Sequence, residues 1–175
     1  MIYAATGHRP EVLGGYQVFP RLVDYAVSVI PTFDSTRMVS GMALGWDLAV
    51  AKACTILGVP FIAAVPFGGQ ENIWPRESKA LYHELLDQAS EVVIVCTGGY
   101  AGWKFIARDK FMVDHADAVL ALWSGQKHGG THQCVQYAVK MSKPVHNVWD
   151  GWMEKLNAAQ EMQYRQSGKS QPAPQ

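Results

Sequence analysis

The sequence predicts an α/β protein with a mostly parallel, six-stranded sheet and helices on both of its faces. Short apolar runs alternate along the chain with longer segments whose apolar residues have helical spacing. The short runs are apolar throughout, as strands that are buried on both faces require. No repeat or internal linker interrupts the alternation, and this order is typical of parallel strands joined by helical crossovers.

The first half of the chain supplies three strands, each followed by a helix. In order, these are a strand at 2–6, a helix at 16–30, a strand at 37–40, a helix at 46–57, a strand at 60–66 and a helix at 75–89. Pro20 is tolerated only near the start of its helix, Gly58 ends the next helix, and Pro75 suits a first turn.

The second half repeats the pattern. The predicted elements are a strand at 91–96, a helix at 103–116, a strand at 118–123, a helix at 131–142, a strand at 144–149 and a helix at 151–165. The remaining segment, QSGKSQPAPQ, is polar and has no periodicity. We therefore expect one domain at 1–165 and a disordered tail at 166–175.

The composition restricts the classes of function. Lys plus Arg and Asp plus Glu both number 15, so the net charge is zero, which argues against a broad basic surface for nucleic acid. No apolar run approaches the roughly 18 residues that span a bilayer, and no secretory signal begins the chain. Three widely spaced cysteines and the absence of HExxH or a close His/Cys cluster indicate neither disulfides nor a metal. We expect a cytoplasmic protein without a membrane partner or a resident cofactor.

Glycine-containing loops follow the first five predicted strands. They read GHRP, SGMALGWD, PFGGQENIWP, TGGYAGW and SGQKHGGTH, whereas the opposite loops LGV, QAS and MSK are short and plain. Glycines also serve ordinary turns, but turns occur at both ends of a sheet. Because open parallel sheets bind ligands beyond the carboxyl ends of their strands, the asymmetry predicts a ligand site at that edge.

Two of these loops lead directly into helices and are typical of phosphate sites. Glycines allow close approach of the backbone, and a helix start offers free N–H groups and a positive dipole end. SGMALG precedes one helix and HGGTH another, where Thr131 could both cap the helix and contact an anion. Neither loop matches the dinucleotide fingerprint or the P-loop.

Other side chains near this edge have both a structural and a functional interpretation. Asp47 is either an ordinary first-turn acid or a hydrogen-bonding partner of a ribose or base. Arg9, next to His8, is either a surface arginine or a planar clamp for a phosphate. Trp74 could stack on a base or pack at the rim, as could Trp103 and Trp123.

Five segments together carry a family resemblance. GHRP, SGMALGWDLAVAKA, PFGGQENIWP, MVDHADAVLALW and GGT, in this order, resemble the YpsA-like proteins of the SLOG superfamily, which is named for the Smf/DprA proteins and the LOG enzymes. The resemblance covers about residues 3–148, and SGMALGWD is also similar to the SGxAxGxD loop of DprA. It implies a Rossmann-like fold, self-association and a nucleotide-related ligand. It places that ligand at Gly7, His8, Arg9, Ser40, Gly41, Gly45, Asp47, Gly129, Gly130 and Thr131.

One departure from the LOG enzymes concerns catalysis. LOG enzymes cleave the bond between base and ribose phosphate and carry a PGGxGTxxE stretch, but GGTHQC places Cys134 at the position of the glutamate. If this chain cleaves such a bond, another carboxylate must act, and the candidates are Glu71, Asp47 and Asp114. We favour Glu71, because its glycine-containing loop could carry it over the site while Trp74 covers the base.

Three functions therefore stay open. The first is a sensor or binder of a nucleoside phosphate, ADP-ribose or NAD-like ligand, and the second is an N-glycosidase acting on a nucleoside 5′-monophosphate. The third is a single-stranded DNA adaptor of the DprA type, which needs a positive groove with stacking aromatics. Acidic residues interrupt the basic ones near the edge, so the expected partners are a nucleotide and a second copy of the chain rather than a nucleic acid.

Overall fold

The fold is a single all-parallel sheet of six strands, seen in a computed structural model that describes residues 1–166. The strands are β1 (Ile2–Gly7), β2 (Arg37–Ser40), β3 (Phe61–Val65), β4 (Glu91–Ile94), β5 (Ala118–Leu122) and β6 (Val145–Asn147). Their order in the sheet is β4-β3-β2-β1-β5-β6, and every pairing is parallel. The predicted fold class is confirmed, and the architecture is Rossmann-like.

Seven α-helices lie between and after the strands in residues 1–166. They are α1 (Pro10–Leu13), α2 (Phe19–Val29), α3 (Trp46–Leu57), α4 (Arg76–Gln88), α5 (Trp103–Asp114), α6 (Gly129–Lys140) and α7 (Trp149–Gln166). The bounds of α3 are those predicted, whereas α1 was missed because four residues carry no periodicity. Residues 167–175, which hold most of the tail predicted at 166–175, lie outside the described residues.

Short 3₁₀ helices at Tyr16–Val18 and Ile30–Thr32 flank α2 and cover the rest of the helix predicted at 16–30. Pro20 lies in the first turn of α2, where its missing N–H removes no hydrogen bond. The proline therefore marks the point at which the 3₁₀ turn gives way to the α-helix.

Two apolar cores lie on opposite faces of the sheet. Tyr3 and Ala5 of β1 point towards the core formed with α2, α3, α4 and α7. Ala4 between them points to the other core, formed with α5 and α6. Burial of both faces explains why the four inner strands lack the alternation of apolar and polar residues, whereas the edge strand β4 is largely exposed.

The sheet order reverses at β1, and this reversal positions the site. The chain passes from β1 outward through β2, β3 and β4, and then returns to the other side of β1 as β5. A crevice opens beyond the carboxyl ends of two strands whose connections run in opposite directions. The loops after β1 and β5 therefore meet at this edge, as expected from the sequence.

Gly45 fixes how closely the loop after β2 approaches the loop after β1. Its φ is +93°, and a Cβ there would overlap the carbonyl oxygen of His8 and lie 3.0 Å from Cα of Arg9. We expect Gly45→Ala to lower the free energy of unfolding by about 2–5 kcal/mol, through backbone strain and overlap.

Gly58→Ala is the matched control, because Gly58 also has a positive φ of +68° but a Cβ there meets nothing within 4 Å. It should cost only about 1–2 kcal/mol. Urea unfolding of both variants measures the difference, and equal losses would show that crowding against His8 plays no part.

Candidate functional site

A cleft of about 600 Å³ opens at the carboxyl ends of β1 and β5. It is lined by residues from the β1 end, α1, the start of α3, α5 and the β5–α6 region: Thr6, Gly7, His8, Arg9, Glu11, Val12, Ala43, Asp47, Gly102, Phe105, Ile106, Arg108, Asp109, Gln126, His128, Gly129, Gly130, Thr131 and Gln133. A separate cavity of about 150 Å³, lined mostly by apolar side chains such as Leu22, Leu48 and Leu81, lies behind α1. In contrast to this mostly apolar cavity, the large cleft combines charged groups with open space for a polar ligand.

The start of α6 forms one wall of the cleft. Within the described residues no side chain caps this helix, so the N–H groups of its first turn are free of a side-chain partner. A Cβ on Gly129 would meet nothing within 4 Å, and one on Gly130 would meet only Oδ2 of Asp109, at 4.0 Å. These two glycines therefore leave room for a group in front of the helix.

A buried cluster of three charged side chains forms the floor. Nε of Arg108 donates to Oδ1 of Asp109 at 2.8 Å, and its Nη1 lies 3.6 Å from Oδ2 of Asp47. Nη1 also donates to the carbonyl oxygen of Gly41. All three side chains belong to residues less than a tenth exposed. A Cβ on Gly41 would overlap the guanidinium, so this glycine admits Arg108.

The cluster shifts the protonation of its members. Burial raises the pKa of Asp47 to about 7, although Arg108 and the N–H of Ala43 oppose the rise. Burial also raises the pKa of Asp109, again against the effect of Arg108. Two carboxylates share one guanidinium, so the floor can hold a proton near neutral pH.

His8 joins the loops after β1 and β5. Its Nε2 accepts the backbone N–H of Ser124 at 3.0 Å and lies 2.8 Å from the hydroxyl oxygen of the same residue. The ring meets Trp149 edge-on, with 5.5 Å between the ring centroids. Burial lowers the pKa of His8, with a smaller effect from His128. An accepting Nε2 leaves the proton of the neutral ring on Nδ1.

Arg9 lies at the mouth of the cleft. It is exposed, and its guanidinium carbon lies 5.8 Å from the centre of the Phe105 ring. Unlike Arg108, it has no carboxylate partner within the described residues. Its charge is therefore available to an anion that enters the cleft.

Seven of the predicted nucleotide-binding residues line this cleft: Gly7, His8, Arg9, Asp47, Gly129, Gly130 and Thr131. The other three lie behind the lining, where Ser40, Gly41 and Gly45 shape the loop before α3. The hydroxyl of Ser40 donates to the carbonyl oxygen of Asp47 at 2.8 Å and accepts the N–H of Met42 at 3.1 Å. These contacts hold Asp47 in place from outside the cleft.

Glu71 and Trp74 lie outside the lining of the cleft. Oε1 of Glu71 is 3.4 Å from Nε2 of His83 on α4, and Trp74 packs edge-on against Tyr82. The side chain of Gln70 donates to the carbonyl oxygen of Met42 at 3.3 Å, which ties this loop to the loop before α3. The roles predicted for Glu71 and Trp74 stay predictions.

Sequence analysis missed Arg108 and Asp109 as parts of the site. Lys104 and Arg108 are both buried, one helical turn apart on the same face of α5. Lys104 donates to the carbonyl oxygens of Thr97 and Gly99. The sequence does contain a signal for this burial, because the two cations are four residues apart on a helix that must cover an apolar face of the sheet.

Cys134 lies on α6 beside this cluster and is almost fully buried. Burial raises the pKa of its thiol, and the negative charge of Asp109 raises it further. The thiol is therefore neutral at physiological pH and brings no charge to the floor of the cleft.

Across residues 1–166, no helix has both the length and the apolar character needed to cross a membrane. In the same part of the chain, no group of three or more His, Cys, Asp or Glu side chains is arranged to hold a metal ion.

Comparison with known proteins gives a family and several relatives. A family model, YpsA, described as the YspA SLOG family, matches residues 33–149. The chain is 30% identical over 129 residues to the uncharacterized SPbeta prophage-derived protein YoqJ of Bacillus subtilis, covering 65% of this chain and 74% of that protein. It is 25% identical to a UPF0398 protein of Bacillus velezensis, covering 91% of this chain and 96% of that protein.

Two solved structures of DNA processing protein A share the fold. The Helicobacter pylori protein, whose structure describes a single-stranded DNA binding mode, has a TM-score of 0.57 and 20% identity, covering 83% of this chain and 63% of that chain. The Streptococcus pneumoniae protein has a TM-score of 0.59 and 17% identity, covering 92% and 56%. This chain thus spans less than two thirds of either, and the likeness is one of fold.

The raised pKa of Asp47 predicts a pH-dependent stability. Its pKa rises from an ordinary 3.8 to about 7 on folding, so the folded state favours the protonated carboxyl. This group therefore destabilises the fold progressively as pH rises from about 4 to about 7, and by a constant amount above that. Asp47→Asn removes this titrating carboxyl. The free energy of unfolding of the variant minus that of the wild type should therefore increase between about pH 4 and about pH 7, by up to about 4 kcal/mol.

Urea unfolding at about pH 5 and about pH 8 measures the effect. Asp24→Asn is the control, because Asp24 is exposed on α2. Parallel pH profiles for wild type and Asp47→Asn would contradict the assignment.

Proposed function

The chain belongs to the YpsA family of the SLOG superfamily, and from this premise and the cleft we propose that it binds a nucleoside phosphate as a sensor or binding protein. The ligand class includes nucleoside monophosphates, ADP-ribose and NAD-like molecules. A cleft of about 600 Å³ lies within the usual range of about 300–1,000 Å³ for small-molecule sites.

The start of α6 is the observation that carries this proposal. Its uncapped N–H groups and dipole favour an anion, and Gly129 and Gly130 leave the space in front of them open. Thr131 adds a hydroxyl within the same turn. In this arrangement a phosphate accepts hydrogen bonds from the backbone of the first turn.

Arg9 supplies the second element of recognition. Its exposed guanidinium at the cleft mouth can form charge-assisted hydrogen bonds with phosphate oxygens. The other glycine-containing loop that the sequence predicts as a phosphate site, Gly41–Gly45, is instead filled by protein atoms, because Arg108 and His8 pack against its glycines. We therefore assign the phosphate to α6 and Arg9 rather than to both glycine turns.

A second candidate function is hydrolysis of the N-glycosidic bond of a nucleoside 5′-monophosphate. Asp47 and Asp109 both line the cleft, and burial raises the pKa of each. In such a reaction the C1′–N bond breaks, water oxygen bonds to C1′, and a proton reaches the departing base. A carboxylate can stabilise the oxocarbenium-like ribose, and a protonated carboxyl can supply the proton.

The proposed single-stranded DNA adaptor has less support. Lys104 and Arg108 of α5 are buried and occupied by internal partners. Their charges are therefore not available to a phosphate backbone. Self-association and a cytoplasmic location stay predictions from the sequence.

Gly130→Val tests the phosphate site. Gly130 needs no positive φ and its Cβ direction is open, so valine should leave the fold intact while filling the space of the phosphate. We expect the affinity for AMP and for ADP-ribose to fall at least about tenfold by titration calorimetry, because charge-assisted hydrogen bonds are lost.

Gly68→Val is the matched control. A Cβ on Gly68 meets nothing within 4 Å, and Gly68 lies outside the cleft lining. It should bind as the wild type does. Unchanged affinity in a folded Gly130→Val protein would remove the phosphate from α6.

Base release from nucleoside 5′-monophosphates tests the catalytic alternative. If the wild type turns over, the geometry predicts that Asp109→Asn lowers the rate about 100-fold or more, as loss of a general acid does. Glu71→Gln removes the carboxylate that the sequence favours as catalytic. Its rate should stay within about threefold of the wild-type rate, since Glu71 lies outside the cleft lining.

If Glu71→Gln lowers the rate of base release about 100-fold and Asp109→Asn does not, Glu71 is the catalytic carboxylate after all. A wild type that binds AMP without releasing adenine would exclude the glycosidase and leave the binding function standing.

A further inference from the structure

A second groove joins the cleft between α5 and α6. Its volume is about 440 Å³, and it shares Ile106, Asp109 and Gln133 with the cleft. Beyond these three residues it is lined by polar and cationic side chains: Lys110, His132, Gln136, Tyr137 and Lys140. A ligand held at the start of α6 can therefore extend along this helix without leaving the surface of the protein.

The charge of the groove is positive. Lys110 and Lys140 are exposed, and within residues 1–166 neither has a carboxylate partner. Among the lining residues only Asp109 carries a carboxylate, and it accepts from Arg108. Asp114, outside the lining, accepts from the neutral hydroxyl of Tyr137 at 2.9 Å and keeps its negative charge. The groove thus offers two ammonium groups to an anion.

Uncharged recognition groups lie between these cations and the cleft. Gln133 and Gln136 are exposed and present amides to the groove, and Tyr137 offers a ring face that Lys110 approaches at 5.6 Å. Amides and an aromatic ring can bind the hydroxyls and base of a nucleoside. The lining therefore suits a nucleoside as well as a phosphate.

The spacing indicates how the phosphates of the ligand are separated. Lys140 follows Gly130 by ten residues on one helix, a rise of about 15 Å, and helical side chains lean back towards the N-terminus. The ammonium of Lys140 can thus lie about one nucleotide length from a phosphate at the start of α6. Adjacent phosphates of a pyrophosphate would both remain at the start of α6.

We propose that the groove between α5 and α6 binds the internal phosphate of a phosphodiester-linked dinucleotide whose 5′-phosphate lies at the start of α6. This inference rests on the proposed function and narrows its ligand class. Lys110 and Lys140 contact the internal phosphate, and the nucleoside between the two phosphates lies against Gln136 and Tyr137.

Titration calorimetry with AMP, ADP-ribose and 5′-phosphorylated diadenylate tests the proposal. The diadenylate should bind at least tenfold more tightly than AMP. The double variant Lys110→Ala/Lys140→Ala should lose about tenfold in diadenylate affinity and keep its AMP affinity within about twofold. Lys79→Ala, on α4 and outside both spaces, should change neither affinity.

The outcomes separate this proposal from the function on which it rests. If neither AMP nor diadenylate binds, the nucleotide-binding function itself fails. If AMP and diadenylate bind equally and the double variant changes nothing, the groove proposal is overturned while the function stands. If ADP-ribose binds more tightly than diadenylate and its binding depends on the two lysines, the ligand of the groove is a pyrophosphate and not a phosphodiester. If the affinity keeps rising with longer oligoadenylates, the groove is part of a strand-binding surface.

Discussion

The buried guanidinium of Arg108 is the interaction on which the site depends. It reaches from α5, on one face of the sheet, to Asp47 of α3, which packs on the other face, and it also contacts the carbonyl of Gly41. A buried charge without a partner is strongly destabilising, by about 3–5 kcal/mol when one member of a pair is removed. The cluster with Asp47 and Asp109 therefore fixes the distance between the helices that form the cleft.

This constraint separates two groups of glycines that look alike in the sequence. Gly41 admits the guanidinium, Gly45 admits the carbonyl of His8, and Gly7 admits the ring of Trp46. These three glycines bring protein atoms together beneath the cleft. Gly129 and Gly130, by contrast, face open space in front of an uncapped helix, which is why the proposed function places the phosphate beside them.

The fold was predictable because it depends on patterns that are local in the sequence. Apolar runs gave the strands, and α3 begins and ends where Trp46 and Gly58 indicated. Loop composition indicated the sheet edge at which the cleft opens. The partners of Asp47 were not predictable in this way, because the contact with Arg108 joins residues far apart in the chain, and charge on a helix is ordinarily solvated. The placement of Glu71 away from the cleft has a similar origin, since a long-range contact from Gln70 to Met42 fixes its loop.

The same electrostatic cluster explains the cysteine at the position where LOG enzymes carry a glutamate. Cys134 is buried next to Arg108 and Asp109, and both Asp47 and Asp109 already depend on that single guanidinium. A glutamate on α6 would add a third buried carboxylate without adding a cation, and like charges in such surroundings raise one another's pKa until protons are taken up. A neutral thiol avoids this cost. The carboxylates of α3 and α5 thus occupy the space around Arg108 from different helices, and α6 adds no third one.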